Sequence, residues 1–453
     1  MKKLLLPVLL WAGMTAHAQN ALLKNQTTGA ISNTGLVTLC MVSDGKDVVL
    51  VAADKTTLYA IDIADNDASK ASANLVTTIP NFTTAKLDPV AGQTVTVVDM
   101  VVNPVSKSVY VLGKSGTTNY IFKVEKNGAN VTMLNLSSLP HSKLSWGGSG
   151  VNVNDMAFGN NTLYVSSGSF TLDGELGWVS PPFTNNASIP TRATTMFKSN
   201  WGGQYETAAP LETLAFGKVD SKNRLMGVTT CAPGFSIDLA TLPGTGLLKV
   251  TEDFNVHFGF STKAEFMRHD GKDWLFDLHD NKLYRIGKKF IDGSQVTANK
   301  YDNNAVQMRT NAGAITATLT ADEMKQVANE AYTSMALWDN YRMLLLEKAG
   351  SGALKLTQVS VENPPTTGIN DVAANSALNI YPNPAKGQVT INLPEGNTQA
   401  KINIISANGS VVLTQNATGS KAVIDINSLP AGLYNVAATL ASGHTITGKV
   451  TVQ

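Results

Sequence analysis

A unit of three short strands separated by turns returns six times along most of this chain, and no other feature restricts its fold as much. One copy runs Val97-Val-Asp-Met-Val-Val102, a turn at Asn103-Pro104, Ser108-Val-Tyr-Val-Leu112, a Gly/Thr turn and Tyr120-Ile-Phe-Lys-Val124. Its opening recurs as Val153-Asn-Asp-Met-Ala-Phe158, Leu211-Glu-Thr-Leu-Ala-Phe216, Ala264-Glu-Phe-Met267 and Thr333-Ser-Met-Ala-Leu337. An earlier copy opens at Leu36-Val-Thr-Leu39. Setting Thr38, Asp99, Asp155, Thr213, Glu265 and Ser334 against one another gives intervals of 52 to 69 residues.

A three-to-four-strand unit of that length, repeated, is the grammar of propeller blades. The chain is therefore predicted to be all-β, with a six-bladed β-propeller over residues 19–361. Two or three successive β-sandwich modules are the competing architecture. A radial array leaves an edge to cover, and the segment Ala21–Ile31 is expected to close the ring by joining the last blade. One helix is expected, because Thr320-Ala-Asp-Glu323 has the form of a capping box opening Met324–Ala331.

The first 18 residues read as a signal peptide: Lys2 and Lys3, an apolar stretch from Leu4 to Met14, and Ala16-His17-Ala18 before the expected mature start at Gln19. That stretch is too short to span a bilayer and no later one is long enough, so no membrane span is expected. Lys and Arg number 35 against 34 Asp and Glu, and charged residues make up 15% of the chain. Such a balance leaves no footprint for nucleic acid or an anionic membrane. Cys40 and Cys231 are too few for a disulfide scaffold and read as buried thiols.

A linker is expected over residues 362–377, where Pro364-Pro365 stops a strand and small polar residues follow. Beyond it, over 378–453, short alternating strands broken by Gly, Asn or Pro predict a small immunoglobulin-like β-sandwich. Pro382 and Pro384 cannot donate ladder hydrogen bonds and mark a sheet edge, and Gly432 is expected to permit a tight turn before Tyr434. Tyr381-Pro-Asn-Pro-Ala385, the Asn408-Gly409 turn, Leu429-Pro-Ala-Gly-Leu-Tyr434 and Gly448-Lys449-Val450 occur in that order. In this the segment resembles the C-terminal sorting domain of cargo carried by the type IX secretion system of Bacteroidota. The resemblance implies that Tyr381, Pro382, Asn383, Pro384, Gly432, Tyr434 and Lys449 carry the sorting motif and that the secretion machinery is a partner. It also implies passage through the periplasm to the outer-membrane surface or the medium, with the product released or attached to lipopolysaccharide.

Chemistry in the body is sparse. No nucleophile elbow, zinc-protease helix or phosphate loop is present. His269 and His279, with Asp270, Asp277 and Asp280, have ligand-type residues, but Asp270-Gly271 and Asp280-Asn281 are hairpin-turn chemistry and no metal or other cofactor is expected. Asp62, Asp65 and Asp67 lack the Gly and distal Glu of a calcium loop and read as a solvated turn. Asp99, Asp155 and Glu265 fall at equivalent positions of inner strands, where they either ring a central channel or cap local turns. Trp146 and Trp201 sit in near-copies, Lys143-Leu-Ser-Trp-Gly-Gly148 and Lys198-Ser-Asn-Trp-Gly-Gly203, and with Trp178 are candidates for a stacking platform or for core wedges. A secreted binding module for a glycan or host protein is the leading expectation. A polysaccharide hydrolase or lyase using those carboxylates and a structural matrix component are the alternatives.

Overall fold

A computed structural model describes residues 20–147, 152–169, 172–197, 205–206, 210–229, 233–250, 252–255, 260–269, 271–292, 307–309, 315–318, 324–326, 331–348, 352–360, 378–393, 399–406, 410–440 and 445–453. The predicted signal peptide, the Pro364-Pro365 linker, Trp201, Cys231 and the Asn408-Gly409 turn lie outside them. The chain divides into two compact units, residues 1–362 and 363–453.

Among the described residues, unit one contains six largely antiparallel sheets, each started by one copy of the repeat, and one two-stranded parallel pair. Sheet 1 runs Thr38–Ser43, Val48–Ala53, Thr57–Asp62 and then Leu139–Trp146. Sheet 2 runs Thr96–Val102, Val109–Ser115, Thr118–Glu125 and Asn130–Met133. Sheets 3, 4 and 5 begin with Val153–Gly159, Ala215–Val219 and Ser261–His269. Sheet 6 runs Ala331–Leu337, Arg342–Lys348 and Leu354–Ser360, and its fourth strand is Thr78–Ile79. No sheet closes on itself among the described residues.

The first strands of the six sheets lie side by side in the cyclic order 2-1-3-4-5-6 and back to 2. Period-two alternation explains why. In Val48–Ala53, buried throughout, Val49, Val51 and Ala53 enter the apolar cluster shared with sheet 3, while Leu50 and Ala52 enter the one shared with sheet 2. The other clusters fall between sheets 2 and 6, 6 and 5, 5 and 4, and 4 and 3. Each neighbouring pair therefore has its own core, and every sheet is buried on both faces.

Hairpins follow the local chemistry. Asn160-Asn161 and Asp220-Ser221, both residues at positive φ, join the first two strands of sheets 3 and 4 with the twist that such turns favour. Asp280-Asn281 does the same for the second and third strands of sheet 5.

Two local expectations are corrected. Met324–Gln326 is not helical: it is the fourth strand of sheet 5, paired with Tyr284–Ile286, because an edge strand's tertiary pairing overrides the capping signal before it. The N-terminal segment does not join the last sheet. Its strand Thr27–Gly29 pairs with Leu139–His141 and so belongs to sheet 1, and Leu23–Lys24 pairs with Phe183–Thr184. The strand that completes sheet 6 is Thr78–Ile79.

Unit two is a two-sheet sandwich. One sheet contains Asn379–Tyr381, Gln388–Asn392 and Lys421–Asp425; the other contains Val411–Thr418, Gln399–Ile405, Gly432–Leu440 and Thr445–Val452. Alternate residues Val389, Ile391, Ile402, Ile404, Ile424 and Val436 meet in its core. Gly432 is a strand residue opposite Val452, so it serves the ladder and not the expected turn. Gly448 lies against that core: a Cβ there would come 2.5 Å from Ile380 Cδ1 and 3.2 Å from Leu378 Cβ.

Candidate functional site

Where the six first strands converge, the register with their partners slips in four sheets at Asp99, Asp155, Lys263 and Ser334. Such bulges re-aim side chains. The slips set Lys263, not Glu265, level with Asp99 and Asp155, and the sequence agrees once Phe158, Phe216 and Phe266 are aligned three residues further on. The expected equivalence of Glu265 is corrected accordingly: it sits one pleat beyond, level with Cys40, Val101, Ala157, Ala215 and Ala336.

The first layer is polar and self-satisfied. Sheet 5 lies opposite sheet 1 in the cyclic order, and Lys263 reaches across to the carboxylates flanking sheet 1, with Nζ 3.3 Å from both Asp99 Oδ2 and Asp155 Oδ1. Thr38 Oγ1 stands between the same two oxygens at 3.0 and 3.2 Å and can donate to one of them at a time. Leu39 N donates to Asp99 Oδ2 at 2.8 Å and Leu214 N to Asp155 Oδ2 at 3.0 Å, so each aspartate ties its own sheet to the next. Burial raises the Asp155 pKa against the pull of Lys263. The Lys263 pKa is raised despite burial, by Asp155 and Asp99. Asp99 and Asp155 both bond to Lys263, and their oxygens also accept from Thr38 or from backbone amides of neighbouring sheets and not of local turns.

The next layer is apolar apart from Glu265. Burial pushes its carboxyl up to about 7, with Asp155 and Asp99 adding to the shift and Lys263 and a backbone hydrogen bond from Leu337 opposing it. No described cation lies at ion-pair distance from it. Above this layer stand the half-buried rings of Phe158, Phe216 and Phe266. Glycine makes room for two of them, since a Cβ at Gly159 would fall 1.9 Å from the Phe216 ring and one at Gly217 2.4 Å from the Phe266 ring. The repeated Ala-Phe-Gly at 157–159 and 215–217 thus encodes a staircase of rings between adjacent sheets.

These layers line a cavity of about 830 Å³ that touches the first strands of all six sheets or the residues flanking them, from Leu39 and Val101 through Met156, Leu214 and Lys263 to Leu337. At its rim Arg268 is held by Asp273 at 2.6 and 2.8 Å, and Lys107 Nζ donates to Trp338 O at 2.7 Å.

The two described candidate tryptophans, Trp146 and Trp178, take part in packing between sheets. Trp146 is buried between sheets 1 and 3 against Gly177 and donates from Nε1 to Glu175 Oε2 at 2.9 Å. Trp178 is half-buried and packs on the cluster between sheets 3 and 4. The bulky, flat rings fill inter-sheet space that smaller residues would leave empty.

Two polar clusters lie elsewhere in unit one. Asp65 is buried, not solvated, because Ser106 Oγ, Tyr110 Oη and Lys123 Nζ surround its Oδ2 at 2.9, 3.0 and 3.2 Å. Between sheets 4 and 5, Ser261 Oγ donates to Asp277 Oδ2 at 2.9 Å and lies 3.0 Å from His279 Nδ1. Burial pushes Asp277 up to about 8 and nearby Glu212 up to about 7. Sequence reasoning missed Lys263, Glu212 and this pairing; the Phe alignment was the available signal for Lys263.

In unit two the motif residues meet the last strand. Asn383 substitutes for the prolines beside it: its Nδ2 donates to Lys449 O at 2.8 Å and its Oδ1 accepts from Thr451 N at 2.9 Å. Ala385 N then donates to Thr451 O at 2.8 Å, and Tyr434 Oη donates to Pro430 O at 2.8 Å. Tyr381 Oη lies 3.3 Å from Asn392 Oδ1.

Comparison with known proteins adds to this geometry. No curated protein matches the chain. PorZ, a surface component of the type IX secretion system of Porphyromonas gingivalis, is similar at 11% identity and TM-score 0.27, covering 94% of this chain, which spans 58% of PorZ. Drosophila Semaphorin 2a is similar at 9% identity and TM-score 0.34, with 94% and 98% covered. The extracellular domain of BT4673 from B. thetaiotaomicron gives 10% identity, TM-score 0.25, and 94% and 70% covered. TM-scores of this size leave the body without an assigned relative. Residues 379–453 match the family model of the secretion system C-terminal sorting domain. The chain therefore ends in a type IX secretion sorting domain, a tail that marks an all-β protein for the cell surface or the extracellular space.

Proposed function

We propose that the body is a six-bladed propeller acting as a ligand-binding module at the cell surface or in the medium, exported through the periplasm and handed to the secretion machinery by the tail. The observation that carries the binding reading is the cavity of about 830 Å³ walled by all six repeats. Its size, apolar rings and few polar groups are those of a small-molecule or side-chain site. The cyclic order of the sheets, with one apolar cluster per neighbouring pair, favours a propeller over successive sandwiches. The binding face moves from the tryptophan loops to the half-buried rings of Phe158, Phe216 and Phe266. A hydrolase or lyase built on Asp99 and Asp155 is disfavoured, since both carboxylates are committed to Lys263, Thr38 and backbone amides.

The test is a screen of the full chain on glycan and protein arrays beside Met41→Trp, which fills the cavity from sheet 1. Binding that disappears in a folded Met41→Trp supports the cavity. Binding unchanged in that variant, or none at all, removes it.

A further inference from the structure

Each described cation around the cavity is engaged, Lys107 by a carbonyl alone and the others by carboxylates. Arg268 is engaged by Asp273, Arg342 by Asp339, Lys107 by the Trp338 carbonyl, and Lys263 by two aspartates. Glu265 has no cation at ion-pair distance among the described residues. Its neighbours in the same layer are a thiol, a valine and three alanines, and the half-buried carboxylate faces the cavity with no protein cation to match it. The one backbone hydrogen bond from Leu337 fills part of its acceptor capacity. Just outward lie Phe158, Phe216 and Phe266, aromatic faces that attract cations and apolar stems alike.

Building on the cavity as the binding site, we propose that it takes an organic ammonium, with Glu265 as the counter-ion of the charged head and the three phenylalanines around the stem. A free organic amine and a protein lysine share this chemistry. Neutral glycans and anions do not. Lys263 is not the competing counter-ion, because it is buried and already shared between Asp99 and Asp155, which leaves the centre net negative. Binding a cation there neutralises that excess.

The test is calorimetric titration of the full chain with four probes: phenethylamine, the peptide acetyl-Phe-Lys-Phe-amide, 2-phenylethanol and 3-phenylpropionate. Either amine binding at least about tenfold more tightly than the alcohol, with the acid failing to bind, is the expected result. Which amine binds separates the two sources. Glu265→Gln should weaken the amine about ten- to hundredfold and leave the alcohol unchanged. Amine binding should also strengthen from about pH 6 to about pH 8 as Glu265 ionises. The other titratable groups facing it are Lys263, Asp99, Asp155 and Cys40; sheets 4 and 6 present alanines at that level. Equal or better binding of the alcohol or the acid overturns the ammonium assignment while keeping the cavity as a site. Binding of none of the four overturns both. The probe series on the unaltered protein decides the matter even where Glu265→Gln does not fold.

Discussion

Lys263 does the work of a central strut, one cation holding carboxylates from two sheets that flank a third. Its removal should show how much of the body depends on it. Lys263→Met leaves Asp99 and Asp155 buried without a counter-charge, and should lower unfolding stability by about 3–5 kcal/mol in urea denaturation. Adding Asp99→Asn and Asp155→Asn should restore most of that loss, because the cost lies in unpaired charge and not in missing volume. A Lys263→Met variant as stable as the parent would mean the triplet is inert. At this scale the sequence was half legible. Asp99 and Asp155 were visible because acidic residues recur at the start of two copies of the repeat. Lys263 was not, because aligning by charge placed Glu265 in its slot. Aligning by the shared phenylalanine, which marks a steric role, places it correctly.

Strands and turns carry the second level. Period-two alternation and Asn/Asp turn pairs made the opening strands of the repeats and several hairpins readable in advance. Met324–Gln326 was misread because a capping box is a local signal and edge-strand pairing is a tertiary one. In the sorting domain the motif proves to be a clasp: Asn383 and Ala385 hydrogen-bond to the last strand, and Gly448 admits Ile380 and Leu378 beside it. Gly448→Val should therefore destabilise this unit by about 1–3 kcal/mol in scanning calorimetry, because the new methyls meet a filled core. Gly432→Ala should change it by less than about 0.5 kcal/mol, since a Cβ there meets nothing nearer than 3.8 Å. Equal effects at the two glycines would refute the clasp.

At the scale of the molecule, buried carboxyl groups set the response to pH. Glu265 and Glu212 are pushed up to about 7 and Asp277 to about 8, chiefly by burial. Each binds its proton more tightly folded than unfolded. Their stabilising contribution is therefore complete below the ordinary carboxylate range and is lost as pH rises through about 7 to 8. Asp65, whose pKa is lowered despite the opposing effect of burial by hydrogen bonds from Ser106 and Ser108 and by Lys123, acts in the opposite sense at acid pH. Melting temperature should thus peak near about pH 5 and fall toward about pH 8, less steeply in Asp277→Asn. A flat profile across that span would contradict the raised pKa of these three carboxyl groups. The repeat made six units readable in advance, each of which opens one of the larger sheets, but not the cyclic order of those sheets. Sheets 1 and 2 exchange places because Thr78–Ile79 and Leu139–Trp146 travel to complete other sheets, and a two-residue strand leaves no pattern in a sequence.

The seam at Thr78–Ile79 also sets a timetable. Thr78 meets Thr357 across 279 positions of chain, so the last sheet acquires its outer strand only after almost the whole body has been made. Until then two unfinished edges stay open, and closing a loop of that length comes late and slowly. For a chain made from its N-terminus, connectivity alone makes this seam one of the last described pairings of unit one to become available.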